Sequence, residues 1–457
     1  MSEKKMSKMK FGLLGFQHMF AMFGATVLVP TLTGLSVSAT LLFAGLGTLL
    51  FHLLTKGKVP AFLGSSFAFL GGYFAVNNMI TNHNATLGEG AVAVNWIPYA
   101  AVGVACAGLV YVIVAALFKA FGAARVMRFF PPVVTGPIII CIGMILANSA
   151  INNCAADWGI AVLAVAIVII FNIWGKGMLK IIPILLGVVG SYLIAALSGH
   201  VDFTPVHNAA WIGVPFQMKD TVFSFITDGV NPSLLGSAIA MMMPIALATM
   251  MEHVGDMSAI SSTVGKNFIE DPGLHRSLLG DGCATTLAAL FGAPANTTYG
   301  ENTGVLALTR VYNPAVVRMA AVLAVLFSFS PKFAALISCM PAATIGGVSL
   351  ILYGMISAVG VRNIVENQVD FTKSRNVIIA ALIIALALGI NFSSALGCDT
   401  VNSVSGAIAF YIGDVKISLS GLAVASLVGI IANAVLPGND YTFGKNKQGD
   451  ESVNFKV

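Results

Sequence analysis

The chain has 457 residues, of which 57% are hydrophobic and only 9% are charged, and its mean hydropathy is +0.89. A soluble domain carries about 25% charged residues, so 24 basic and 19 acidic side chains cannot cover a water-soluble surface of this size. The composition therefore excludes a cytosolic enzyme, a nucleic-acid-binding protein and a disordered protein, and it predicts a polytopic protein embedded in a lipid bilayer.

Long apolar runs follow one another along the chain and predict an all-α integral membrane protein with fourteen spans. A helix of about 20 apolar residues satisfies its own backbone in lipid, and these runs alternate too little for a β-barrel. A polar extracellular loop, residues 200–232, divides the spans into two sets of seven. The predicted spans lie near residues 11–30, 38–55, 60–76, 97–118, 129–149, 157–174, 178–198, 233–258, 277–293, 299–309, 315–330, 333–358, 375–391 and 418–436.

The basic residues orient these spans, because cytoplasmic loops of membrane proteins carry an excess of lysine and arginine. With the N-terminus inside, all of the 24 basic residues fall on the cytoplasmic side except Lys219, Lys332 and Lys416. Both termini are therefore predicted to be cytoplasmic. The net charge of +5 marks this sidedness and is no evidence for an anionic partner.

Spans 3 and 10 differ from the others, because each is short and is interrupted by a polar motif with β propensity. The motifs are Gly64–Phe69 in the first half and Ala295–Glu301 in the second, and superposing them equates Phe67 with Tyr299. Broken spans at corresponding positions of two halves point to a transporter binding site. Because seven spans per half is odd, the halves form an inverted 7+7 repeat, and two short extended strands should meet near the midplane.

Two carboxylates lie deep in predicted spans, Glu252 in span 8 and Glu301 in span 10. Burying a carboxylate in the bilayer costs free energy, so such residues are found where they form an ion pair or have a function. These two spans contain no lysine or arginine that could form the pair. Asp256 is four residues from Glu252 and so shares its helix face. Since two close carboxylates cannot both ionise cheaply in low dielectric, this set predicts proton coupling. The alternatives are a structural ion pair, and for Asp256 a helix-end position facing water.

Other residues are predicted to support or line this site. Gln17 and His18, early in span 1, can brace the broken segments by hydrogen bonds, and Asp281 in span 9 can support the site from behind. Phe67 and Tyr299 would flank one cavity, unless they only pack. A flat heteroaromatic ligand fits aromatic faces, carboxylates and freed backbone amides, whereas an inorganic anion would be repelled by glutamates.

Five motifs resemble the nucleobase–ascorbate transporter (nucleobase–cation symporter 2) family over nearly the whole chain. The form Tyr299-Gly300-Glu301-Asn302, with glutamate, is similar to the bacterial uracil permeases, whereas many purine and xanthine members have glutamine there. The motifs that carry the resemblance are Gln17–Pro30, Gly64–Phe69, Glu252–Gly255, Asp271–Arg276 and Asn296–Asn302.

The resemblance implies a core domain (residues 1–128 with spans 1–4, and 233–331 with spans 8–11) and a gate domain (residues 129–199 with spans 5–7, and 332–437 with spans 12–14), followed by a cytoplasmic tail, 438–457. It further implies proton-coupled uptake of uracil across the bacterial inner membrane by alternating access, in a protein that forms a homodimer.

The resemblance also assigns roles to residues. Uracil would bind to the side chains of Glu252 and Glu301 and to backbone amides at Phe67 and Gly300. The residues implied to line or support this site are Ser66, Tyr299, Tyr353 and Asn302. One departure from the family pattern concerns the proton, because well-known uracil members have a histidine where this chain has Asp256.

Two other functions stay open at this point: a xanthine or other purine symporter with the same fold, and, in a different class, an anion transporter of the same architecture. A membrane enzyme is disfavoured, because the sequence offers no nucleophile–base set. The six cysteines stand alone and no histidine cluster has metal spacing, so neither a metal site nor a cofactor is predicted.

Overall fold

The computed structural model describes residues 8–87, 92–180, 182–398, 406–412, 415–438 and 441, and most of these residues are α-helical. Short 3₁₀ or π turns connect several of the helices. The helices are α1 (Lys8–Thr33), α2 (Val37–Leu54), α3 (Leu70–Ala85), α4 (Trp96–Phe121), α5 (Ala123–Met127), α6 (Pro132–Cys154), α7 (Trp158–Trp174), α8 (Pro183–Leu197), α9 (Thr204–Asn208), α10 (Phe225–Asp228), α11 (Pro232–Met242), α12 (Ile245–Val264), α13 (Leu274–Leu290), α14 (Gly300–Thr309), α15 (Pro314–Ser328), α16 (Pro331–Ser338), α17 (Ala342–Glu366), α18 (Ser374–Asn391) and α19 (Gly421–Val435). The strands are β1 (Leu63–Ser65), β2 (Asn296–Thr298), β3 (Ala407–Ile412) and β4 (Val415–Ser420).

The helical lengths fit a membrane protein that crosses the bilayer many times. Among the described residues, 7 helices are long and apolar enough to cross a membrane, or 8 if the bent pair α15 and α16 counts as one span. Three further apolar helices, α7, α8 and α19, are shorter. The other predicted spans correspond to short or broken helices, which length and composition do not identify as crossings. The total of fourteen spans therefore stays a prediction.

Prolines move two of the predicted boundaries. The span predicted near 333–358 is two helices, since α16 ends at Ser338 and α17 starts only at Ala342, after Pro341. Proline lacks an N–H and disfavours helix in the residue before it. The span predicted near 233–258 is likewise interrupted at Pro244, between α11 and α12, and its second helix extends to Val264.

An antiparallel strand pair precedes the last span, which the sequence analysis placed near 418–436. β3 and β4 pair from Ala407↔Ser420 to Ile412↔Val415, and α19 starts at Gly421 and ends at Val435. The signal was the alternation of apolar and polar residues through β4, which is typical of a strand. The predicted span therefore starts three residues too early, and the rest of it agrees with α19.

The two interrupted motifs meet as an antiparallel strand pair, β1 with β2, whose central partners are Gly64 and Thr297. Two equivalent backbone hydrogen bonds flank the pair: the Ser66 N–H donates to the Ala295 carbonyl (2.8 Å) and the Tyr299 N–H donates to the Phe62 carbonyl (3.0 Å). This symmetry equates Ser66 with Tyr299, and hence the next residues, Phe67 and Gly300, with each other. The superposition of Phe67 on Tyr299 was therefore wrong by one residue.

The remaining helices pack in two groups around this crossing. In one, α4 packs closely on α13, where a methyl group on Gly282 would lie 2.7 Å from the Gly108 carbonyl; α1, α2 and α15 complete the group. In the other, α6 packs on α17, where a methyl group on Gly360 would lie 2.6 Å from the Ile140 nitrogen; α7, α8, α18 and α19 pack around them. Glycine permits such close helix contacts in membranes.

Candidate substrate site

The site is built where the two broken segments turn from strand into helix. Ser66 and Tyr299 are both extended, and a helical turn begins at the next residue of each segment, Phe67 and Gly300. The first N–H groups of a helix have no acceptor within that helix, and they lie at its positive end. The crossing therefore brings two sets of backbone donors together in the interior of the protein.

A cavity of about 410 Å³ lies against this crossing. Phe67, Tyr299 and Gly300 line it from the broken segments, and Glu252 and Asp256 line it from α12. The predicted pairing of these two carboxylates on one helix face is thus seen at one cavity wall. Glu301 belongs to the first turn of α14, beside Gly300, but its side chain lies outside the described part of the structure.

Asp256 is tied to the second broken segment through Thr298, the last residue of β2. The Thr298 hydroxyl donates a hydrogen bond to Asp256 Oδ2 at 2.9 Å, and its oxygen also lies 3.4 Å from His253 Nδ1. Sequence analysis quoted Thr298 within a motif but gave it no role. Its only sequence signal was its position directly before Tyr299 and Gly300.

Behind the cavity wall lies a fully buried pair, in which His253 Nδ1 is 3.1 Å from Asp281 Oδ2. Both side chains have no exposed surface. Asp281 thus supports α12 from α13 through His253, and it does not line the cavity. The close approach of the two groups offsets part of the cost of burying them, although His253 Nε2 and both Asp281 carboxylate oxygens have no hydrogen-bond partner within the described residues.

The aromatic residues predicted for the site have different positions. Phe67 lines the cavity, whereas Tyr353 is fully buried behind it, with ring centroids 5.6 Å apart and planes at 77°. The Tyr299 hydroxyl donates to the Ser65 carbonyl at 2.8 Å, which joins the two strands. Ser66 is buried, and its hydroxyl has no hydrogen-bond partner within the described residues.

The polar residues of the first span brace α14. The Asn302 side-chain amide lies 3.2 Å from His18 Nδ1 and donates to the His18 carbonyl at 3.0 Å. Both residues are buried, as is the neighbouring Gln17. None of these three belongs to the cavity lining. His18 and Asn302 support the helix that begins at Gly300 through their mutual contacts.

The far end of the cavity is polar and was not anticipated. Four residues near the C-terminal end of α17 line it: Arg362, Asn363, Glu366 and Asn367. Arg362 Nε donates to Glu366 Oε1 at 2.6 Å, an i,i+4 pair that was visible in the sequence. The basic-residue pattern predicts that Arg362 lies on the cytoplasmic side, and on that prediction the cavity would extend from the crossing toward the cytoplasm. Within the described residues, no group of three metal-ligating side chains gathers anywhere.

Comparison with known proteins shows that this chain is similar to permeases over most of its length. The sequence profile Xan_ur_permease, described as the permease family, matches residues 9–396. The uracil permease of Bacillus subtilis (strain 168) is 41% identical in an alignment of 437 positions that covers 92% of this chain and 91% of that protein. The uracil permease of Bacillus caldolyticus is 40% identical in an alignment of 434 positions that covers 93% of this chain and 91% of that protein.

The fold also has solved counterparts. The transmembrane domain of a cyanobacterial bicarbonate transporter, BicA, superposes with a TM-score of 0.57 over 93% of this chain and 97% of that one, at 14% sequence identity. At this identity the likeness concerns the fold alone. The predicted class, an all-α integral membrane protein, is confirmed by this match, whereas the count of fourteen spans stays a prediction.

Proposed function

Since the chain belongs to the permease family, we propose that this multi-pass membrane protein carries uracil into the cell together with protons. The observation that carries the proposal is the position of Glu252 and Asp256 at the cavity where the helical turns at Phe67 and Gly300 begin. Its relatives named uracil permease, at 40 and 41% identity, favour uracil over other nucleobases.

Uracil is a flat ring with N–H donors and carbonyl acceptors on its edge. Glu252 and Glu301 would accept from the ring N–H groups, and the backbone amides at Phe67 and Gly300 would donate to its carbonyl oxygens. Phe67 offers a ring for stacking, and the cavity is in the range that small-molecule sites occupy. Tyr299 would line the site, and Ser66 and Tyr353 would support it from behind.

Proton coupling is proposed for the carboxylates at this wall. Glu252 and Asp256 lie one helical turn apart on α12 and both line the cavity, with Glu301 next in the chain to Gly300. Two or three carboxyl groups in such a place hold a proton more readily than isolated ones. Asp256 would then take the part played by histidine in the well-known family members.

Alternating access would move two domains against each other. We propose a core of residues 1–128 and 233–331, which contains both broken segments, and a gate of residues 129–199 and 332–437. The packing of α4 on α13 and of α6 on α17 supports this division. With Arg362 on the cytoplasmic side, the cavity would open toward the cytoplasm, while β4 packs on α11 elsewhere between the proposed domains. These two observations support an inward-facing state, from which substrate would be released into the cell.

The protein would lie in the bacterial inner membrane with both termini in the cytoplasm, and it would form a homodimer through its gate domains. The basic-residue pattern supports the orientation. Exposed apolar side chains on α7 and α8, among them Ile169, Ile173 and Leu193, offer the gate a surface for lipid or a second copy.

Uptake of labelled uracil into cells lacking their own permease tests the proposal. Glu252→Gln and Glu301→Gln should each reduce uptake by at least about tenfold, because each removes a charged hydrogen-bond acceptor. Glu270→Gln is the matched control, since Glu270 is exposed in the turn before α13. Unimpaired uptake by both site variants would exclude these residues as ligands.

Competition separates uracil from the other candidates. An excess of unlabelled uracil should abolish uptake of the label, and xanthine should not. If xanthine competes as well as uracil, the protein is a purine symporter of the same fold. Transport of bicarbonate or sulfate with indifference to nucleobases would assign it to the anion transporters.

A further inference from the structure

A chain of polar contacts leads from the cavity into the packed core. Thr298 donates to Asp256 Oδ2 at 2.9 Å, its oxygen lies 3.4 Å from His253 Nδ1, and that nitrogen lies 3.1 Å from Asp281 Oδ2. Asp256 lines the cavity, whereas the His253 and Asp281 side chains have no exposed surface. Thr298 therefore joins a carboxylate that ligand can reach to a pair that solvent cannot reach.

The hydrogen-bond directions in this chain follow from the donors available. The single hydroxyl proton of Thr298 points to Asp256 Oδ2, so in the 3.4 Å contact with His253 Nδ1 the Thr298 oxygen can act only as the acceptor. An ionised Asp256 accepts this hydrogen bond strongly. A protonated Asp256 would accept it more weakly, through its carbonyl oxygen, so the Thr298 hydroxyl favours the ionised form.

Thr298 is also part of the substrate-binding backbone. It pairs with Leu63 across the two strands, and the next residues, Tyr299 and Gly300, line the cavity and start α14. A ligand that binds the amides at the start of α14 acts on the same short segment that holds the Thr298 hydroxyl against Asp256. Thr298 therefore links the ligand-binding backbone to the carboxylate that would carry the proton.

We infer that Thr298 is a positioning residue that couples occupancy of the substrate site to the proton on Asp256. The inference rests on the proposed function, uracil transport with protons, and deepens it. Thr298 acts through the carboxylate and need not touch the substrate. Sequence reasoning assigned the proton to the carboxyl groups alone, and the structure adds the hydroxyl that controls one of them.

The titratable groups around this hydroxyl come from three helices. On α12 they are Glu252, His253 and Asp256, on α13 Asp281 faces His253, and on α4 Tyr111 lies near both Asp281 and Glu252. These groups titrate together, so the effect of a Thr298 variant on the pH profile has to be compared with the effect of an Asp256 variant.

The test measures initial rates of labelled-uracil uptake as a function of external pH. Thr298→Val removes the hydroxyl and keeps the shape, so Asp256 should retain its proton to higher pH, and the midpoint at which uptake falls should rise by roughly one pH unit. Thr298→Ser keeps the hydroxyl and should keep the wild-type midpoint. The control is Thr309→Val at the end of α14, whose hydroxyl donates to the Val305 carbonyl, and its profile should match wild type.

A double variant separates coupling from general damage. In an Asp256→Asn background, Thr298→Val should cause no further change of the pH profile, because the group it acts on no longer titrates. If Thr298→Val fails to reach the membrane, Thr298→Ala carries the same expectation. A wild-type midpoint in an active Thr298→Val or Thr298→Ala protein, or a full shift in the Asp256→Asn background, would overturn the inference. Absence of uracil uptake by the wild type would overturn the proposed function instead.

Discussion

The two broken segments have the same backbone and different chemistry. In both, a three-residue strand is followed by one more extended residue, Ser66 or Tyr299, and a helical turn begins at the next residue. The first segment continues with Phe67, Ala68 and Phe69, which are apolar and buried, whereas the second continues with a glycine and a glutamate. The two segments thus present their backbone donors in the same geometry, while their side chains differ: those of the first are apolar and buried, and the second has a glycine and a glutamate.

The surroundings of two glycines show the same division. A methyl group on Gly64 of the first segment would lie 2.5 Å from the Tyr299 ring and 2.7 Å from Thr26 Oγ1. A methyl group on Gly300 of the second segment would find only Asp256 Oδ1, at 3.8 Å. The first segment is therefore a packed support, and the second has open space toward the cavity.

The strongest test of this difference is Gly64→Ala. The added methyl must displace the Tyr299 ring, which is held by its hydrogen bond to Ser65, so we expect a loss of stability of about 1–3 kcal/mol. Thermal unfolding of the purified protein in detergent measures the loss. Gly71→Ala is the control, because a methyl there meets no atom within 4 Å. A Gly64→Ala protein with the wild-type Tm would mean that the two strands are not tightly packed.

Tyr299→Phe tests the link between the segments with a smaller effect. It removes the hydroxyl that donates to the Ser65 carbonyl, and we expect a loss of about 1 kcal/mol in unfolding free energy. The ring that lines the cavity remains, so uracil affinity should change little. Thermal unfolding and equilibrium binding, measured on the same preparation, separate the two. A large loss of affinity with unchanged stability would show that the hydroxyl contacts the substrate.

Gly300→Ala should affect uracil binding rather than stability, in contrast to Gly64→Ala. Since 3.8 Å from Asp256 is an ordinary contact distance, we expect a change in stability within about 0.5 kcal/mol. The methyl would project into the cavity and weaken uracil binding. Equilibrium binding beside thermal unfolding checks this. If stability falls as far as in Gly64→Ala, the two segments do not differ in the way that the glycines indicate.

The smallest effect is expected at an exposed ion pair, in which Lys58 before β1 contacts Asp271 before α13 (Nζ to Oδ1 2.6 Å). This hydrogen bond lowers the pKa of the exposed Asp271. Its stabilising effect is present above about pH 4, the ordinary value for aspartate, and is lost as the pH falls further. Asp271→Asn should lower Tm slightly at pH 7 and not at pH 3, and salt should reduce the difference. A Tm difference that persists at pH 3 would point to another cause.

The sequence predicted the parts of the site that depend on local pattern. The motifs around Phe67 and Gly300, the shared helix face of Glu252 and Asp256, and the supporting place of His18 were predicted from residue type and spacing, and Asn302 was implied by the family resemblance. What the sequence missed depends on contacts between distant segments. The Thr298 hydroxyl contacts Asp256 on α12, and the end of α17 lines the cavity where α17 packs on α6.

Hydropathy by itself predicted a multi-pass membrane protein and the two broken segments that form the crossing, because lipid forces each segment to satisfy its own backbone, and the charge pattern predicts which side the loops face. Only the tertiary structure decided that Ser66 corresponds to Tyr299, that Asp281 faces His253 rather than the cavity, and that residues 407–412 pair with residues 415–420. These depend on the register between segments far apart in the chain, and side-chain periodicity carries no information on how two such segments are aligned.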